Sequence, residues 1–147
     1  MVHNPAEILE HGCAALDAVL QRYGFKREKI VSGKASGGHF ATTSYLNGDR
    51  KLELHFRFSL GLVSYHFGLA SVSHEAFMKA MLGPKGGNKY PGFSDEPLSA
   101  FHDLAYDLET HCSAFLTGNQ SEFARYVGMA RRDEALKGFE RLAKSES

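Results

Sequence analysis

The chain has no tryptophan, two cysteines and four prolines among its 147 residues, and its 17 basic residues are matched by 17 acidic ones. Each shortage excludes something. A neutral balance gives no bulk electrostatic drive toward nucleic acid or anionic lipid, and no Lys/Arg cluster supplies one locally. Cys13 and Cys112 stand far apart, in neither CxxC nor zinc-like spacing, so they define neither a disulfide framework nor a zinc site. A bridge between them would require their helices to touch. No apolar stretch reaches membrane-span length. The opening MVHNPAEILE lacks the basic and apolar regions of a signal peptide, which predicts a reducing, cytoplasmic setting. GxSxG, Rossmann GxGxxG and HExxH motifs are absent. Gly33-Lys34 resembles only the tail of a phosphate loop, because Glu28 stands where the first glycine belongs and Ala35 follows the lysine. No cofactor or metal is expected, and the reading leans away from an enzyme.

What is present is enough to build a core. Hydrophobic residues make up 43% of the chain, and 11 phenylalanines can carry the packing that tryptophan does not. The length fits one α+β domain spanning 1–147. A first helix is announced by Asn4 as cap, Pro5 in the first turn and Glu7 where a capping box wants a carboxylate. Its stripe is Ile8, Leu9, Leu16, Val19, Leu20 and Tyr23, and Gly24-Phe25 suits a left-handed stop. Glu28 to Ser32 suggests a short edge strand, and SGKASGG at 32–38 a flexible loop.

The middle alternates with period 2. His39 to Leu46 reads as a strand, Asn47-Gly48 as a turn, Arg50 to Ser59 as a second strand and Leu62 to Leu69 as a third. Leu52, Leu54, Phe56 and Phe58 share one side. A turn at Leu60-Gly61 would set Phe58 against Val63, Phe56 against Tyr65, Leu54 against Phe67 and Leu52 against Leu69. The other side would then oppose Arg57 to Ser64 and His55 to His66. The expected fold is an antiparallel meander of three or four strands, with the N-terminal helix and C-terminal helices packed on one face. Those helices are a short one capped by Ser73, a second starting near Ser94 or Asp95 with Pro97 in its first turn, and a third over 121–143 with a break near Arg132-Asp133. The last carries a second, weaker stripe of Leu136, Phe139 and Leu142.

The polar sheet face gathers Glu53, His55, Arg57, Ser64 and His66, with Thr42 and Ser44 alongside. Two facing histidines could share a metal, and Glu53 could be a third ligand or orient a general base. The plainer reading is the solvated side of a one-sided sheet, and an intermediate one is a protein-binding surface of Phe40, Thr42, Arg57 and His66. In the Gly/Pro-rich connection 83–96, YPGF reads as an anchor to the core, with Lys85 and Lys89 nearby. His102 and His111 fall on opposite sides of a helix. His11 and His74 read as surface residues, as do Asp103, Asp107 and Glu109.

A helix ending in RYGF (22–25), the meander LELHFRFSLGLVSYHFG (52–68) and the helices after it resemble small uncharacterised bacterial α+β families, some of which sit among toxin-immunity proteins. The resemblance transfers no catalytic residue. It implies a protein-binding or neutralising role; with the missing catalytic motifs and the mixed polar and aromatic sheet face, the expectation is a non-enzymatic module that binds a protein partner or forms a homo-oligomer. The alternative is a small-molecule or metal-binding protein, or an acid–base enzyme, centred on His55 and His66.

Overall fold

The computed structural model describes residues 4–92 and 94–145, with side chains as far as residue 138. Helix α1 (Pro5–Leu20) starts as its sequence dictates: the Asn4 side chain accepts from the Ala6 N–H at 2.9 Å, and Pro5 needs no donor. It runs into a 3-10 turn and stops at Gly24, whose φ of 87° a side chain would strain. The Phe25 N–H then bonds back to the Leu20 carbonyl, and the Phe25 ring is buried against Phe115.

Six strands follow: β1 (Lys26–Arg27), β2 (Val31–Ala35), β3 (Gly38–Asn47), β4 (Arg50–Phe56), β5 (Leu60–Phe67) and β6 (Ala70–Ser73). All pair antiparallel in the order β1, β3, β4, β5, β6, and β2 also pairs with β3, beside β1 on the same edge. The expected three or four strands are therefore six. Two of them come from sequence with little strand propensity. The edge strand expected over Glu28 to Ser32 starts instead at Val31 as β2 and runs on into the stretch read as a Gly/Ser loop, where β3 supplies the pairing and the Phe40 ring lies over Gly33 so closely that a Cβ there would collide with it. Two-residue β1 is held by side chains: Arg27 forks onto Glu10 at 2.8 and 3.1 Å and reaches Asp17 at 3.2 Å, pinning the strand to α1.

The β4–β5 register differs from the expected one by four residues. Tyr65 faces Leu52, Val63 faces Leu54 and Phe67 faces Arg50, with a bulge between His55 and Phe56. The turn lies at 57–59 instead of 60–61. Gly68, at φ 63°, forms the next turn with Leu69, so β5 cannot extend to Leu69. A displacement by an even number keeps every side chain on its face while changing every neighbour. Leu52, Leu54 and Phe56 are buried as expected, but Phe58 is 81% exposed and Leu69 fully exposed.

Helices α2 (His74–Leu82), α3 (Pro97–His111), α4 (Ser113–Leu116) and α5 (Gln120–Ser145) complete the chain. Ser73 caps α2 as expected, accepting from the Ala76 N–H. Pro97 opens α3, but Glu96, not Ser94 or Asp95, is the cap residue and makes no side-chain cap bond. Helix α5 runs unbroken through Arg132-Asp133, and Leu136 is exposed instead of forming a stripe. Phe93, and the side chains of Phe139 and Leu142, lie outside the described residues. The core joins the helices to Tyr45, Leu52, Leu54, Phe56, Val63 and Tyr65 on one sheet face. Aromatic edges interlock at its centre, Tyr65 against Phe77 and Phe115, and Phe77 against Phe123.

Candidate functional site

The sheet face away from this core carries the residues singled out in the sequence. In cross-strand rows it reads Val31, Thr42, His55, Leu62; then Ser44, Glu53, Ser64, Ser73; then Leu46, Lys51, His66, Ser71. None of these twelve side chains is buried. His55 and His66 do share this face, but they do not face each other. His55 is opposite Leu62 and His66 opposite Lys51, which separates the two histidines by about 13 Å along the strands. They cannot hold one metal ion, and among the described residues no three His, Cys, Asp or Glu side chains converge on one.

The shift divides the expected site in two. At the polar end, Glu53 sits across from Ser64 and diagonal to His66, whose Nε2 is 3.0 Å from Glu53 Oε1, within ion-pair reach but not aligned as a hydrogen bond. Lys51 approaches the same carboxylate at 3.2 Å. A groove of about 300 Å³ beside it is lined by Ser64, His66, Ser71, Ser73, Arg131 and Glu134. At the apolar end, His55 stacks on Phe40, and Arg57, carried into the turn, approaches the same ring. Val31 (60% exposed) and Leu62 (61%) share the His55 row, and Phe58, in the adjoining turn, lines a cleft with Phe40 and Arg57. Arg57 and His66, expected to belong to one surface, lie at opposite ends of it.

The most ordered polar cluster is one that sequence reasoning placed on the surface. His74 and Asp107 are buried, as are Tyr65 and Cys112. The Asp107 carboxylate accepts from His74 Nε2 at 2.9 Å, from the Lys89 N–H at 2.7 Å and from the Tyr90 N–H at 2.9 Å. The Tyr65 hydroxyl lies 2.6 Å from His74 Nδ1 and 3.6 Å from Cys112 Sγ, extending the hydrogen-bonded chain. Burial pushes the Asp107 carboxyl up, but its three donors outweigh that and hold it below the usual carboxylate value. Burial raises Tyr65 well above its ordinary value and pushes the Cys112 thiol up to about 12. None of these four side chains faces solvent. The cluster ties the 83–96 connection to the core, with the Tyr90 hydroxyl donating to the Leu60 carbonyl as a further anchor. One signal was available: Asp107 falls on the period of Phe101, Leu104 and Leu108, so an acidic side chain stood on a buried stripe. For His74 nothing in the sequence marked the direction of its ring.

No protein-family model, curated protein or solved structure matches the chain.

Proposed function

We propose that the protein is a non-enzymatic binding module, immunity- or accessory-like, that docks a protein partner or a second copy of itself on the uncovered sheet face. The observation that carries this reading is the exposure of Phe58, Leu62 and Val31 at one end of that face, where a solvated sheet would present polar residues. Their neighbours Phe40, His55 and Arg57 add the aromatic and guanidinium groups enriched at interface centres. A reducing cytoplasmic setting belongs to the same reading, and Cys13 and Cys112 are free thiols. The test uses wild type and the Val31→Asp/Leu62→Asp double variant as baits in extract of the source cell and in sedimentation runs. Wild type should self-associate or retain a partner that the variant loses. A monomer whose captured proteins match those of the variant would sink the reading.

A second reading keeps small-molecule binding or acid–base chemistry at the polar end. It is favoured by the Glu53–His66 approach beside the serine-lined groove. In a thermal-shift screen of metals and metabolites, identical responses from wild type and His66→Ala would remove it.

A further inference from the structure

Between the start of α1 and the β2–β3 hairpin lies a cleft of about 550 Å³, within the size range that takes a small ligand. Asn4, Pro5, Ser32, Phe40, Arg57 and Phe58 line it, and bare backbone at Gly38 leaves one side of it open. No protein acceptor meets Arg57 in this place. Its Nε is buried without a hydrogen-bond partner, a condition that costs free energy until an acceptor arrives. Among the described residues no carboxylate lies within ion-pair distance of its guanidinium. No acidic side chain lines the cleft either, although the chain carries as many acids as bases. The pose is nevertheless built. The guanidinium lies 6.0 Å from the centre of the Phe40 ring, and it packs over Gly37, where a Cβ would collide with it. A planar, unpaired cation over Phe40, in a cleft that Phe58 also lines, is complementary to one negative charge on an apolar body.

We infer that this cleft binds a monocarboxylate with an aryl or alkyl body, its carboxylate on the Arg57 guanidinium and its body against Phe40 and Phe58. The inference goes beyond the partner-docking reading, since a free acid needs no partner and is assayed without one. The C-terminal residue of another chain presents the same chemistry, so the test has an arm for each source. Amide NMR follows titration with 3-phenylpropionate, with its neutral amide, and with a short peptide ending in phenylalanine, free or amidated. The acid should give saturable shifts at Gly33, Phe40 and Arg57, and its amide should bind at least about tenfold more weakly. Arg57→Gln should lose the acid, and Arg57→Lys should keep part of the affinity. A free-ended peptide tighter than the acid assigns the site to chain ends, and a weaker one assigns it to free acids. No saturable shift from acid or peptide up to about 10 mM would overturn the inference. So would equal binding of acid and amide, or undiminished binding by Arg57→Gln. Because the acid–amide ratio is read on wild type, the test stands even if an Arg57 variant is destabilised.

Discussion

Asp107 shows how one side chain can hold a long connection in place. Its carboxylate satisfies His74 and two backbone N–H groups of the 83–96 segment, and it stays ionised in a buried site because all three donors point at it. Asp107→Asn keeps the shape but turns an acceptor into a donor facing donors, and should cost about 3 kcal/mol in urea unfolding. Protonation acts the same way. The unfolded carboxyl takes up its proton near 3.8, whereas the folded one resists to lower pH. In that window the unfolded state binds more protons, so stability falls as pH drops through it and is fully present above it. An acid titration of wild type against Asp107→Asn should show a shallower decline below pH 4 in the variant. The cysteines make a different prediction. Burial pushes Cys13 up to about 11 and Cys112 up to about 12, so at neutral pH almost no thiolate forms. Iodoacetamide should leave both unmodified in the folded protein and alkylate both in urea, as mass spectrometry would show.

At the scale of elements, α1 and α3 approach each other through Gly12, whose missing side chain admits the Phe101 ring. Helix propensity alone says that Gly12→Ala should stabilise α1 by nearly 1 kcal/mol. The packing reverses that sign, because a Cβ would enter the ring, and a net loss of about 1–3 kcal/mol is expected from the thermal melt. The sheet holds a similar dependence on neighbours. Strand β1 exists because Arg27 reaches Glu10 and Asp17 on α1, and Glu10 is in turn held below the usual carboxylate value by that guanidinium.

For the molecule as a whole, one pair of phenylalanines in the same alternating run tests the architecture. Phe56 is enclosed between the sheet and Phe101, whereas Phe58 stands in solvent within the turn. Phe56→Asp buries an unpaired carboxylate and should abolish cooperative folding. Phe58→Asp should melt within about 0.5 kcal/mol of wild type. Equal damage from both, read by circular dichroism, would mean that β4 continues past Phe56 and that Leu52 does not face Tyr65.

Much of the local structure was legible because its causes are local. Asn4, Pro5, Gly24 and Ser73 mark helix ends through geometry that each residue imposes on its own backbone. The period-2 alternation of Leu52, Leu54 and Phe56 fixed which face of the sheet is dry. Alternation is blind to a shift by an even number of residues, so it could not choose between partners for His55 and His66. Only the bulge at His55/Phe56 and the turn at Gly68 chose, and they separated those two histidines and split the polar face in two. Strand β2 and the burial of His74 and Asp107 were likewise decided in three dimensions. The hydrogen bonds that make each favourable come from residues distant in the chain, and a single sequence does not say which of them will meet.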